Sequence, residues 1–305
     1  MTQTQGEFNV ERICELAKVS RASYYRNWEQ AEPDEAETAI RDAVQKEALA
    51  NRRYGYRRIA VLVQRKGVAV SAKRVLAIMR EDNLLAVRRR KFVATTDSDH
   101  DFLIYPNLAQ HLDLTDVNQL WVADITYIRL QSEFIYLAVV LDAFSRKVIG
   151  WALGRSLQAS LPLLALNRAL EQRRPGPGLV HHSDRGSQYA SSDYVMRLEQ
   201  SKALISMSRP ARPWENAKCE SFMKTLKQEE IYVREYRTME ELQLNIEDFI
   251  DTYYNKTRMH SALNYLSPEE FENQHELEMH KQLASLPVAL SFRRHKEIYP
   301  DDSQR

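Results

Sequence analysis

Three acids stand out in this chain by the residues around them. Asp124 lies inside LWVADITYIRL, an apolar run rich in β-branched and aromatic residues that reads as a buried strand. Asp184 lies in LVHHSDRGSQY, a second short strand that breaks at Gly186. Glu220 lies in ENAKCESFMKTLKQE, where Phe222 and Leu226 mark the buried face of a helix and Asn216, Glu220, Lys224 and Lys227 form the opposite, polar stripe. A carboxylate within a strand, one at a strand end and one on a helix can converge. A single Asp or Glu is ordinarily a solvated surface charge. Asp124, flanked by Val122, Ile125 and Ile128, is instead costly to bury without a cation or partner. Converging carboxylates suit Mg²⁺, which takes few protein ligands and fills its shell with waters and phosphate oxygens. Two such ions about 3.5–4 Å apart stabilise both the attacking and the leaving oxygen of an in-line displacement at phosphorus, and no protein nucleophile is needed.

The elements that must hold these acids follow from the hydrophobic period. From 118 onward the chain reads as strand 120–130, a hairpin at Gln131–Glu133, strands 134–142 and 146–153, helix 160–172, and a Pro/Gly turn at 175–178. Strand 179–183, helix 189–200, strand 203–207 and helix 215–229 follow. Three antiparallel strands and then alternating helices and strands predict an RNase H-like α/β fold, a mixed five-stranded sheet with helices. Asp124 falls on the first strand, Asp184 just past the fourth, and Glu220 on the helix after the fifth. The loop SRPARPWENA would lie beside the acids and bring Arg209 and Arg212 to DNA, although an ordinary strand-to-helix connection explains it equally well. Helix 239–254, with Leu242, Ile246, Phe249, Ile250 and Tyr253, is core or partner-facing by its spacing. His182 can share a face with the acids, but a packed or hydrogen-bonded histidine accounts for it; Asp142, before Ser145-Arg146, is accounted for as a turn-forming acid.

Charge separates the N-terminal part from the rest. The net charge is +1, yet residues 52–91 hold 13 Lys/Arg against only Glu81 and Asp82. Within this stretch RRYGYRRIAVLVQRKG reads as a helix burying Ile59, Leu62 and Val63 and ended by Gly67. A second helix starts at an N-cap Ser71, with Val75, Leu76, Ile78 and Met79 inward and Lys73, Arg74 and Arg80 outward. The pair predicts a helix-turn-helix-like basic DNA-binding domain over 38–92, in which Arg57, Arg58, Lys73, Arg74, Arg88, Arg89, Arg90 and Lys91 meet phosphates. A weaker helix-turn-helix-like segment occupies 1–30, with Tyr24, Tyr25 and Arg26 on its second helix. AEPDEAETAI reads as an acidic join between the two, 93–117 as a linker, 118–275 as the catalytic domain and 276–305 as a C-terminal tail.

Composition narrows the classes further. With 305 residues and 44% hydrophobic content the chain can bury a real core, and its apolar runs are too short to span a membrane. Cys14 and Cys219 are too few and too distant for a disulfide framework or a zinc module, which implies a reducing cytosol and two small buried apolar residues.

WVADITYIRL, FIYLAVVLDAFSRKVIGWAL, HHSDRGSQYAS, ENAKCESFMKTLKQE and YYNKTRMHSALNYLSPEEF resemble, in order and spacing, the integrase-type catalytic region of second-frame transposases of the IS3 family of insertion sequences. YGYRRIAVLVQRKGVAVSAKRVLAIMREDNLLAVRRR resembles the helix-turn-helix-like domain that precedes that region, and the likeness runs from about residue 10 to 272. The resemblance implies a DDE recombinase that uses two divalent ions, Mg²⁺ or Mn²⁺, to cut element ends with water and then to join a 3′-hydroxyl to another phosphodiester. Asp124, Asp184 and Glu220 match the family's metal-holding catalytic triad, and Lys227 matches a basic residue that contacts end DNA. Seven residues are nearly two helical turns, so Lys227 shares the face of Glu220, and Lys224 between them would serve as well. The implied partners are terminal inverted repeats, target DNA, further copies of the chain on DNA, and the upstream-frame product, commonly joined by frameshifting; the implied place is the bacterial cytoplasm, at the nucleoid. Two departures stand out: Glu215-Asn216-Ala217 replaces a common Asp-Asn-Ala, and PARPW replaces a more glycine-rich loop. An RNase H-type nuclease that only hydrolyses shares the acids but does not predict the N-terminal helix pairs. A non-catalytic DNA-binding regulator does not predict the triad, and a retroviral-type integrase would carry a His/Cys zinc module.

Overall fold

The computed structural model describes residues 10–16, 18–21, 35–86, 103–131, 133–209 and 212–285. The chain divides into two compact units, 1–87 and 88–305. In the first, helix α1 (Val10–Leu16) is followed by α2 (Glu35–Ala50), α3 (Tyr56–Arg65) and α4 (Ala72–Glu81). Tyr24, Tyr25, Arg26, Arg88, Arg89, Arg90 and Lys91 lie outside the described residues.

Helices α3 and α4 sit where the apolar period puts them. Gly67 ends α3 with φ +86°, a backbone state an L side chain resists, and Val68 N–H reaches back to the Val63 carbonyl. Ser71 caps α4, its hydroxyl accepting from Arg74 N–H at 3.2 Å. Ile59, Val63, Val75, Ile78 and Met79 are buried, with Val44 and Ala48 of α2 against them. Helix α2 corrects the expectation of an acidic join, since a 16-residue helix begins at Glu35. Its charges of both signs are used against the two helices beside it. Glu37 pairs with Arg74, Glu47 with Lys66, and Arg41 with Glu81 and Asp82. One acid of the segment that looked like a linker, Glu37, thus serves to hold the helix to its neighbour.

The second unit is built on a five-stranded sheet of order β3-β2-β1-β4-β5, from β1 (Leu120–Arg129), β2 (Phe134–Asp142), β3 (Val148–Gly154), β4 (Val180–Ser183) and β5 (Leu204–Met207). Strands β1, β2 and β3 are antiparallel neighbours, whereas β4 runs parallel to β1 and β5 parallel to β4. This is the expected RNase H-like arrangement. Alternation along β1 divides two cores. Leu120, Val122 and Ile128 pack with α7 (Ala217–Glu229) and α8 (Met239–Glu247), while Trp121 and Ala123 pack with α5 (Ser160–Arg173) and α6 (Ser192–Gln200). Gly150 lets α5 lie against β3, because a Cβ there would come within 2.2 Å of the Ala165 carbonyl oxygen.

The expected helix 239–254 is two elements: α8 ends at Glu247 and a π-helix spans Asp248–Thr257. Phe249 and Tyr254, and likewise Ile250 and Asn255, are all buried five residues apart, a spacing the wider π turn aligns on one face. Helix α9 (Pro268–Ser285) follows. Cys14 and Cys219 are both free and buried. No described helix is long and apolar enough to cross a membrane.

Candidate active site

Register brings the first two acids together. Val122 of β1 pairs with His182 of β4, so two residues further on Asp124 and Asp184 stand level, where the parallel strands end their pairing. A crevice at the carboxyl ends of parallel strands is where open α/β sheets bind ligands. The third acid arrives on α7. A 3₁₀ turn, Pro213–Asn216, precedes that helix, and Asn216 Nδ2 donates to the Ala123 carbonyl at 2.9 Å, fastening the helix start to β1 one residue before Asp124. Asn216 is thus a correction to the polar stripe: it is buried, and Glu220, in the first turn, is the exposed acid. Its burial follows from the carbonyl it must reach.

The charges act on one another. Burial pushes the Asp124 carboxyl up to about 7, and the charges of Asp184 and then Glu220 add to the rise. Ile125 N–H, 2.8 Å from Asp124 Oδ1, and the Lys227 ammonium oppose it. Partial loss of water also raises Glu220. Asp184 Oδ1 accepts from Gly186 N–H at 2.9 Å, which shapes the turn after β4. Lys227 shares the acid-facing side of α7 as its spacing predicted; burial lowers its pKa, Asp124 resists that, and its Nζ lies over the Tyr127 ring at 5.1 Å. Lys224 is exposed one turn earlier.

The tempting neighbours are satisfied within the fold. His182 bonds Ser206 Oγ at 2.8 Å and Ser208 Oγ at 2.9 Å, and burial lowers it to about 4. Asp142 accepts backbone N–H groups from Asn118 at 2.7 Å, Phe144 at 2.9 Å and Ser145 at 3.2 Å, a turn acid as its sequence position suggests. Arg209 turns to Glu215: its N–H and Nε bond the two carboxylate oxygens at 2.8 and 2.7 Å, and its guanidinium reaches Gln110. Asn107 holds the same carboxylate at 2.7 Å, so residues 107–110 and the 209–215 loop are laced together. Arg212 is exposed. In the N-terminal unit Arg57 and Lys73 are exposed, Arg58 stacks on Tyr54 at 5.1 Å, and Arg74 is held by Glu37.

Residues 115–213 match the integrase core domain family, 201–268 match a second integrase core domain family, and 33–92 match the HTH-like domain family. The chain is 40% identical to the transposase for insertion sequence element IS904 of Lactococcus lactis subsp. lactis, over 72% of this chain and 87% of that protein. It is 33% identical to transposase InsF for insertion sequence IS3A of Escherichia coli, over 88% and 96%. The chain belongs to the IS3 family of insertion-sequence transposases. An insertion element IS600 protein of Shigella sonnei, described only by its 31 kDa mass, is 37% identical over 86% of this chain and 98% of that protein. As a member of this family the chain is a DDE transposase, a polynucleotidyl transferase with an integrase core and an HTH-like DNA-binding domain. The catalytic core of HTLV-2 integrase, solved in complex with magnesium, aligns with 52% of the chain at 13% identity and a TM-score of 0.40, too slight a likeness to assign residues.

The donor set fits hard divalent cations. It is all oxygen, and the thiol of nearby Cys219 is buried with its pKa raised well, which keeps it protonated. Among the described residues no three His, Cys, Asp or Glu side chains are close enough to hold one ion between them.

Two features had no signal in the sequence. Tyr189, five residues after Asp184, is buried with a hydroxyl that finds no partner among the described residues. Glu229, at the last residue of α7, takes two hydrogen bonds from Arg258. Both depend on elements that meet only in the folded chain.

Proposed function

We propose that Asp124, Asp184 and Glu220 are the catalytic acids of this transposase and hold two divalent ions, Mg²⁺ or Mn²⁺, at the scissile phosphodiester. The observation that carries this is the convergence of three carboxylate charges at the end of the β1–β4 pairing, with Asp124 driven upward by burial and, beyond that, by Asp184 and Glu220. Bound there, the ions would polarise phosphate oxygens and ease ionisation of the attacking hydroxyl. In cleavage a water oxygen bonds to phosphorus as the bond to the 3′-oxygen breaks, leaving a 3′-hydroxyl on the element end and a 5′-phosphate on the flank. In joining, that 3′-hydroxyl attacks a target phosphodiester and displaces the target's own 3′-oxygen. The Asp124 and Asp184 strands supply rigid footing, and the Asn216 bond to the Ala123 carbonyl keeps Glu220 in reach.

Lys227 and Lys224 are proposed contacts to end DNA, with Arg212, Arg57, Arg58 and Lys73 as further phosphate contacts; Arg209 and Arg74 have carboxylate partners they would have to share. Two ends must be brought together, so the working species is proposed to be an oligomer on DNA, aided by the upstream-frame product. The test is cleavage and joining of labelled duplexes carrying the element's terminal repeats, in Mg²⁺, with intact protein and Glu220→Gln. Metal-dependent joined products, abolished by the substitution, are expected. Cleavage without joining would favour a hydrolytic nuclease, and DNA binding without either reaction, even with the upstream product added, a regulator.

A further inference from the structure

Among the described residues three buried side-chain atoms have no hydrogen-bond partner: Arg173 Nε, Tyr189 Oη and Asn216 Oδ1. The Arg173 guanidinium is engaged elsewhere, with Glu272. The other two lie next to the acid-bearing segments: Tyr189 in the turn that follows Asp184, and Asn216 on the carbonyl of Ala123, the residue before Asp124. Tyr189 is 2% exposed and packs in the same core as Ala123, its ring edge-on to Tyr194 at 5.3 Å. Its backbone N–H bonds the Gly186 carbonyl at 3.0 Å, and Gly186 N–H bonds Asp184 Oδ1, so the main chain of Tyr189 is tied into the Asp184 turn. Burial first, then Tyr194, and after them the charges of Asp184 and Asp124 hold its hydroxyl in the protonated, donating form. Asn216, 6% exposed, spends its Nδ2 on Ala123 and leaves its oxygen over.

An orphaned buried hydroxyl or amide oxygen is destabilising, on the order of 1–3 kcal/mol. Phenylalanine would fill the Tyr189 site without that cost. A donor and an acceptor left open beside one cluster of acids are complementary to what a loaded site contains. Carboxylate oxygens there can accept, and ion-bound waters can donate.

We infer that Tyr189 is a positioning residue of the acid site, donating its hydroxyl to a carboxylate oxygen once a divalent ion is bound, with Asn216 Oδ1 left to accept from a water held there. This rests on the proposed triad. The loaded site supplies both missing partners, and Tyr189 in return orients the carboxylate that carries the ion.

The experiment is a Mn²⁺ titration of the full chain followed by thermal unfolding, on the wild type, Tyr189→Phe and Asp124→Asn. Tyr189→Phe is expected to match or exceed the wild-type Tm in EDTA, yet to need about tenfold more Mn²⁺ for half of the metal-induced rise. Asp124→Asn should abolish the rise. An unchanged Mn²⁺ midpoint in Tyr189→Phe, or a lower Tm in EDTA, overturns the inference, since the hydroxyl would then serve packing alone. A metal response equal in wild type and Asp124→Asn overturns the triad and the Tyr189 role together.

Discussion

Helix α7 carries a carboxylate near each end, Glu220 exposed at the start and Glu229 buried at the finish, and the two ends are opposites. At its C-terminal end Glu229 is matched completely. Arg258 Nε and a terminal guanidinium nitrogen bond its two oxygens at 2.8 and 2.7 Å, and the Tyr253 hydroxyl adds a third bond at 2.9 Å. Next to this pair Asn255 takes both the N–H and the carbonyl of Val148 on edge strand β3, at 3.0 and 2.9 Å. That clasp ties the π-helix to the sheet and to α7, and it gives the YYNKTRMH stretch a plain structural role. At the N-terminal end Glu220 joins two more acids, and the Lys227 ammonium is a weak counterweight on Asp124, smaller in effect than burial, Asp184 or Glu220. A buried charge with every partner in place holds a fold together. One left facing like charges stores unfavourable energy that a ligand can release.

Several substitutions would break or sharpen this contrast. The largest effect expected is on chemistry: Glu220→Gln or Asp124→Asn should cut joined product roughly 10³-fold or more, read on labelled end duplexes, because several kcal/mol of transition-state charge stabilisation is lost. Next is stability at the clasp. Arg258→Ala should lower the urea-unfolding free energy by about 3–5 kcal/mol, since it strands Glu229 inside the protein. The crevice should respond with the opposite sign: in EDTA at pH 8, Asp124→Asn should stabilise the protein by roughly 1–3 kcal/mol by removing like-charge repulsion and the burial of a charge. A loss of stability there would erase the distinction.

A smaller effect concerns acid. His181, hydrogen-bonded through Nε2 to the Tyr194 hydroxyl at 3.0 Å, is held neutral by burial, which lowers its pKa from the ordinary 6.5 to about 3. The unfolded chain takes up a proton below 6.5 and the folded chain resists until about 3. Stability from this group is therefore whole above 6.5 and declines as pH falls, by about 1.4 kcal/mol per pH unit. Urea titrations between pH 6.5 and 4 should show a shallower decline for His181→Gln than for the wild type. Smallest is a difference within the N-terminal unit. Lys73→Ala should reduce the salt slope of DNA binding by about one, whereas Arg74→Ala, which loses a residue already paired with Glu37, should change it less.

Much of the site was legible because it depends on local order. An acid amid β-branched residues, an acid at a strand end and an acid on an amphipathic helix are local patterns, and the strand order that brings them together follows from the alternation of elements. The capped α4 and the Gly67 stop were legible for the same reason. Helix α2 was not, because its acids look like a linker until the basic helices beside it are in place. The division of 239–257 into an α-helix and a π-helix was also hidden, since i,i+5 burial reads as helical spacing until Asn255 must meet Val148.

By itself, then, the sequence determined the five strands, the helices between them and the face of α7 that carries Lys227, since all of these follow from side-chain periods of two and 3.6 along one segment. Tertiary structure alone decided which charges are satisfied. Arg209 to Glu215, Arg258 to Glu229, Asn216 to Ala123 and the unpartnered Tyr189 hydroxyl were not legible along any single segment. A hydrogen bond requires two groups within about 3 Å in the right direction, and for groups on different elements only the packed chain sets that distance.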